Sequence, residues 1–277
     1  MSTTILDAMH AAGLAPHKDI ELHGDGKLTR YRVVGDKPGS TNGWVVFHDG
    51  DRPAGAFGSW KTSASHTWCS ASASDQQRQT PAQRAELQRQ IKAMQQARDA
   101  ERVVVQATAR ERAAKLWLRA RPATNQHPYL LRKGVGAYGI RQLRELLLIP
   151  ARDVNGQLQT LQFIGADGAK RFLSGGRIVG CYCPIGRPLD SLLICEGYAT
   201  GCSLYAATGR AVAVCFSAGN LQPVARALRM KFPAMKLIVC ADNDLTPGNP
   251  GVTHATQAAR AVGGFLAVPR FEGVTHD

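Results

Sequence analysis

The sequence predicts an α/β protein. A parallel sheet with flanking helices occupies its C-terminal part, preceded by a small antiparallel β region and a long basic helical segment, so that the whole reads as α+β. Three observations predict this. Short apolar runs alternate with helix-like stretches between 191 and 268. Strand-like runs in 21–70 are separated by Asp-Gly and Pro-Gly turns. Residues 75–121 lack glycine, hold a single proline, Pro81, and are rich in Gln, Ala and Arg.

Composition bounds the function classes. The 277 residues carry 34 Lys+Arg against 21 Asp+Glu, a net charge of +13, with 44% hydrophobic and 20% charged residues. That apolar content supports a buried core and excludes disorder throughout. No apolar run approaches the roughly 20 residues a membrane span needs, so no membrane partner is expected. Residues 1–16 show no charged-then-apolar leader pattern, which gives the expectation of a cytoplasmic protein. The charge excess attracts polyanions, with nucleic acid the leading partner.

Residues 1–74 form the first predicted region. Thr29–Val34 and Trp44–Phe47 read as strands, set apart by Asp25-Gly26, Asp36-Lys37-Pro38-Gly39 and Asp49-Gly50. Trp44, Trp60 and Trp68 are spread through this region with Phe47 and Phe57. They read either as a small aromatic core or as a platform on which single-stranded bases stack.

Residues 75–121 form the second region. Thr80, Pro81 and Gln83 make a helix start, with Thr80 capping, Pro81 in the first turn and Gln83 completing a capping box. A helix or helical hairpin is predicted from there to about Arg119. With 11 Lys/Arg and 5 Asp/Glu, this stretch holds +6 of the total charge. It is either a solvated helix face or a strut along a nucleic-acid backbone.

The seven cysteines are odd in number and several lie in apolar runs, as buried free thiols do. Cys181-x-Cys183 with His66-x-x-Cys69 has an unusual spacing for zinc, and core thiols are the preferred reading.

Residues 122–270 read as strand and helix alternating, and the chemistry is expected here. Ser191–Cys195 is a continuous apolar run, as in a strand buried on both faces, and it leads into Glu196-Gly197. A helix over Tyr198–Thr208, a strand over Ala211–Phe216 and a helix over about Leu221–Lys231 follow. Next come a strand over Lys236–Cys240, the acids Asp242 and Asp244, and a Gly/Pro loop at Pro247–Gly251. A helix over Thr253–Ala261 and a strand over Phe265–Val268 complete the pattern. Ligands of open parallel sheets bind at the carboxyl ends of the strands, where Glu196 and Asp242 fall. Asp242 and Asp244, two apart in extended chain, face one way. Three converging carboxylates repel one another unless a hard cation such as Mg2+ joins them. An acidic pocket on a basic protein points to phosphoryl-transfer chemistry.

The runs Leu192-Leu-Ile-Cys-Glu196-Gly197-Tyr-Ala-Thr and Leu237-Ile-Val-Cys-Ala-Asp242-Asn-Asp244 resemble a Toprim domain. Residues 128–186 resemble the region that precedes Toprim in bacterial, plasmid and phage primases. That likeness rests on Pro128-Tyr-Leu-Leu-Arg-Lys-Gly134, Leu147-Leu-Ile-Pro150, Gly156–Gln162 and Lys170-Arg-Phe-Leu-Ser-Gly-Gly-Arg177. Asp25-Gly-Lys and Asn42-Gly-Trp give a looser likeness to the leaders of such proteins. The resemblance implies a Toprim-like parallel sheet over 189–277 and a basic, primase-like subdomain over 122–188. It implies that Glu196, Asp242 and Asp244 hold Mg2+ (or Mn2+) and are catalytic. It implies that Arg132, Lys133, Lys170, Arg171 and Arg177 hold nucleotide or template. Their other reading is turn-flanking surface charge.

The implied function is synthesis of short RNA primers on single-stranded DNA from nucleoside triphosphates in plasmid or phage replication. No P-loop motor motif is present, which leaves a helicase as a separate partner. Two alternatives stand beside it: a Toprim nuclease acting on DNA, and a non-catalytic nucleic-acid-binding replication factor. Tyr138, Tyr182, Tyr198 and Tyr205 all fall in core or helical stretches, so none is assigned as a topoisomerase nucleophile. The family's zinc ribbon has no counterpart in the cysteine pattern, so template reading is either absent or moved to the 21–70 sheet. Gly175-Gly176 either admits a phosphate to the backbone or makes a hairpin turn. His127 reads as an ordinary surface histidine.

Overall fold

The computed structural model describes residues 4–50, 53–62, 64–70, 81–243 and 249–269. The chain divides into two units, Met1–Met94 and Gln95–Asp277.

In the first unit, helix α1 (Ile5–Ala11) starts at a capping box between Thr4 and Asp7. The hydrogen bond from Thr4 holds the Asp7 carboxyl below the usual carboxylate range. Four strands follow, β1 (Asp25–Tyr31), β2 (Gly43–His48), β3 (Ala54–Ser59) and β4 (Ala64–Cys69), in a sequential antiparallel sheet. Period-2 alternation sorts their side chains. Tyr31, Val45 and Phe57 go inward and pack with Ile5, Met9 and Leu14. Arg30, Trp44 and Gly58 share a row on the opposite face. Burial raises the Tyr31 phenol to about 12, and its hydroxyl donates to the Leu14 carbonyl at 2.8 Å.

The predicted helix is present as α2 (Pro81–Arg119). The expected cap at Thr80 lies outside the described residues. In the second unit one stripe of α2 is apolar: Ala113, Leu116 and Trp117 pack with Leu148, Leu161 and Leu173. Val103, Val104 and Val105, by contrast, are exposed.

The second sheet is an antiparallel meander: β5 (Arg121–Pro122), β6 (Arg141–Leu143), β7 (Leu146–Arg152), β8 (Leu158–Ile164) and β9 (Lys170–Phe172). Over 122–172 this corrects the strand-helix alternation expected for 122–270, which holds from Ser191 onward. The only helix among the described residues of this stretch is the six-residue α3 (Pro128–Lys133). β7 and β8 pair directly across a short turn, in which Asp153 accepts from the amides of Asn155 and Gln157.

The third sheet contains β10 (Cys183–Ile185), β11 (Ser191–Cys195), β12 (Ala211–Val214), β13 (Lys236–Cys240) and β14 (Phe265–Ala267), in the order β10-β12-β11-β13-β14. The last four are mutually parallel and β10 pairs antiparallel at one edge. Helices α4 (Tyr198–Thr208), α5 (Leu221–Lys231) and α6 (Pro250–Ala261) connect them. The continuous apolar runs have a plain cause, burial on both faces. Leu192 and Ile194 meet Val224, Leu228, Ala255 and Ala258 of α5 and α6. Leu193 and Cys195 face Tyr198 and Cys202 of α4, together with Ile149 and Ile164 of the antiparallel sheet. Helix α6 starts three residues earlier than predicted, because the Asn249 side chain accepts from the Val252 amide and Pro250 fits the first turn.

Six cysteines are buried free thiols, and Cys69 is exposed, which corrects the core reading for that residue. Among the described residues no group of three His, Cys, Asp or Glu is placed to hold a metal ion.

Candidate acidic site at the sheet edge

The acids are positioned by strand order. From β11 the chain passes through α4 to β12 on one side, then through α5 to β13 on the other. Such a reversal opens a crevice outside the carboxyl ends of the strands. β11 and β13 are adjacent and in register, Ile194 opposite Val239. Glu196 lies two residues past Ile194 and Asp242 three past Val239, so both emerge at the same rim. Both are half-buried. Thiols line the rim from below. Burial pushes the Cys195 thiol well up, with neighbouring thiols and Asp242 adding to it, and burial followed by Glu196 does the same for Cys215. Asp244 lies outside the described residues. Asn243 accepts from the Asn249 side-chain amide at 2.8 Å and donates to the Pro269 carbonyl at 3.2 Å.

A cavity of about 670 Å³ opens beside Asp242, lined by Lys133, Ala199, Thr200, Ser203 and Val268 among others. It brings one predicted cation, Lys133, to one predicted acid. The α4 N-cap is Gly197, which makes no side-chain cap. The first-turn amides of that helix therefore have no side-chain acceptor at the cap, an arrangement that favours anions.

The other predicted cations are placed differently. Arg132 donates to the Ala166 carbonyl at 3.0 Å and lies against Gly168. Lys170 and Arg171 are exposed on β9, with the Arg171 guanidinium 5.9 Å from the Phe163 ring centroid. β9 reaches the acidic rim through aromatic packing. The Phe172 and Phe216 rings meet edge-on at 5.4 Å, and the Phe216 amide donates to the Glu196 carbonyl at 2.7 Å. Arg177 pairs with Asp153 at 3.2 Å in a separate cavity of about 320 Å³ shared with Arg110 and Gln159.

Several residues that shape the site carry little or no signal in the sequence. Phe216 has φ +72, a left-handed conformation that costs a bulky side chain of order 1–3 kcal/mol. Buried Asn220 ties the chain after β12 to the loop before β10. Its carbonyl accepts from the Gly180 amide, and its amide lies within 3.2 Å of the carbonyls of Ile178, Cys181 and Cys215. The Tyr198 hydroxyl donates to the Tyr138 carbonyl and accepts the Tyr138 amide, clamping the start of α4 to the loop after α3. His127 is not on the surface. It is 2% exposed and caps α3, Nδ1 accepting from the Tyr129 amide and Nε2 facing the Glu145 carbonyl at 3.0 Å. A proline directly after it, at a helix start, is the readable signal. Gly175 and Gly176 serve packing: a Cβ would lie 2.8 Å from Val105 Cγ1 and 2.1 Å from Thr160 Oγ1, respectively.

Residues 191–271 match the Toprim domain family. The chain is 35% identical to a DNA primase TraC of Escherichia coli over 261 residues, 89% of this chain and 24% of that protein. It is 35% identical to a second TraC DNA primase of Escherichia coli over 283 residues, 96% of this chain and 19% of that protein. The chain thus spans about a quarter or less of the length of the curated relatives it matches. A solved DnaG primase catalytic domain bound to ssDNA aligns with a TM-score of 0.41 at 14% identity, covering 62% of this chain and 74% of that one. Residues 191–271 thus match the Toprim domain family, and most of the chain is similar in sequence to part of the TraC DNA primases.

Proposed function

We propose that this chain is the core of a metal-dependent primase that makes short RNA primers on single-stranded DNA from nucleoside triphosphates, in plasmid or phage replication. The observation that carries the reading is the emergence of Glu196 and Asp242 at one rim, from neighbouring parallel strands at the point where strand order reverses. Their chemistry fits Mg2+ (or Mn2+). Two half-buried carboxylates beside neutral thiols offer hard oxygen ligands and leave positions for water and phosphate. In this reading Glu196, Asp242 and Asp244 hold the ion. When bound, the ion neutralises charge on the phosphate and on the attacking and leaving oxygens. Lys133, Lys170, Arg171 and Arg132 hold the triphosphate and the template backbone as charge-assisted donors. Arg177 joins them in this reading, its guanidinium also pairing with Asp153.

The test is incorporation of labelled ribonucleotide on a single-stranded template with Mg2+. Wild type makes short products, and Glu196→Gln and Asp242→Asn each lower the rate at least about 100-fold, as loss of charge stabilisation at a reacting centre does. No wild-type product, or equal product from the variants, overturns the reading. Metal-dependent nicking of DNA without nucleotides assigns the site to a nuclease instead.

A further inference from the structure

The first unit has a feature that the acidic site does not use. A cavity of about 360 Å³ at the end of β1 is lined by His17, Lys18, Arg30, Arg32, Ser40 and Thr41 among others, with no carboxylate among the described residues that line it. Buried Asp36 nearby is already matched: its carboxylate takes Lys61 at 2.7 Å and Asn42 at 3.4 Å. The Ser40 hydroxyl is buried with no hydrogen-bond partner, an orphaned polar atom at the cavity wall. Arg30 also belongs to a second feature. Its guanidinium sits 4.4 Å from the centroid of Trp60, an indole 48% exposed. Trp44 lies 5.9 Å from Trp60, on the sheet face opposite α1. The Trp60 amide donates to the Asn42 carbonyl and holds the residue at the strand end.

We propose that this cavity and the Trp60 indole form a binding site for single-stranded DNA, a backbone phosphate entering between Lys18, Arg30 and the Ser40 hydroxyl and an adjacent base stacking on Trp60. Anion-seeking side chains beside an exposed indole are the two halves of single-strand recognition: cations track the backbone, and aromatic faces take bases irrespective of sequence. A guanidinium resting on an indole stays charged and keeps N–H donors for an oxyanion. An acidic peptide would satisfy the cations and leave the indole unused. The site deepens the template side of the primase reading without resting on its catalysis, and its test needs neither nucleotides nor metal.

The test is fluorescence anisotropy of labelled oligodeoxythymidine with the full-length chain across a salt series, alongside thermal melts. Trp60→Ala weakens binding roughly 5- to 100-fold, the range of one base stack. Lys18→Ala with Arg30→Ala lowers the slope of log affinity against log salt by about 0.7 for each phosphate no longer neutralised. Exposed Met230→Ala on α5 changes neither. Unchanged affinity and slope in both the Trp60 and the Lys18/Arg30 variants, with wild-type melting, overturn the proposal. Displacement of the strand by millimolar ATP from wild type but not from Arg30→Ala makes the cavity a mononucleotide site, and the same pattern with polyglutamate makes it an acidic-peptide site. Either result overturns it as well.

Discussion

The amide of Phe216 donates a 2.7 Å hydrogen bond to the carbonyl of Glu196, while the Phe216 ring meets Phe172 at 5.4 Å. One residue in a left-handed conformation thus joins the end of β11 to the strand that carries Lys170 and Arg171. Phe172→Ala, Phe216→Ala and the double variant, followed by urea denaturation, form a cycle. The coupling energy is expected at about 0.5–1.5 kcal/mol, the range of an aromatic pair. Coupling near zero would mean that the rings only touch.

Asn220 meets three carbonyls on two segments, and the Gly180 amide, with one side chain. Asn220→Ala leaves several buried groups unpaired at roughly 1–3 kcal/mol each. Chemical denaturation should show a destabilisation of about 3 kcal/mol or more, as several such groups together imply. A value below about 1 kcal/mol would show that water replaces the amide.

The strands of the acidic site are legible in the sequence because burial on both faces leaves an unmistakable apolar run. Leu192–Cys195 and Leu237–Cys240 could be little else, and the acids follow directly. The antiparallel meander is less legible: Leu146–Arg152 and Leu158–Ile164 are also apolar, but a run of that length does not say what it pairs with. Phe216 is not legible at all, since φ > 0 is ordinarily a glycine's place and nothing local marks a phenylalanine there. His127 looks like surface until the proline after it is weighed as a helix start. The Gly175-Gly176 pair fits two readings in sequence, a phosphate approach or a hairpin turn, and neither announces the close approach of Val105 and Thr160.

The packing role of Gly176 has a direct check. Gly176→Ala places a methyl 2.1 Å from Thr160 Oγ1, and overpacking of this kind costs about 1–3 kcal/mol. Melting should fall while the affinity of the folded protein for single-stranded DNA stays as in wild type. Wild-type stability with weakened DNA binding would restore the phosphate-approach reading.

The buried thiols set the alkaline limit. Burial raises Cys202 and Cys240 from 9.0 to about 11. Below pH 9 both states hold these protons. Between about 9 and 11 the unfolded chain releases them while the folded one keeps them, so stability falls as pH rises through that window. Urea midpoints measured from pH 8 to 11 should drop accordingly. At pH 8, iodoacetamide should modify exposed Cys69 well before the other six, and rapid labelling of all seven would contradict the buried placement.

If the carboxylates of Glu196 and Asp242 share one divalent cation, Mn2+ must bind there whether or not nucleotide is present. Electron paramagnetic resonance of Mn2+ titrated into the full-length chain measures this. A site is expected that Mg2+ competes for and that Glu196→Gln and Asp242→Asn each weaken at least about tenfold, the scale on which a metal site responds to changes in the groups around it. Mn2+ affinity indifferent to both substitutions would show that the two acids hold no common ion.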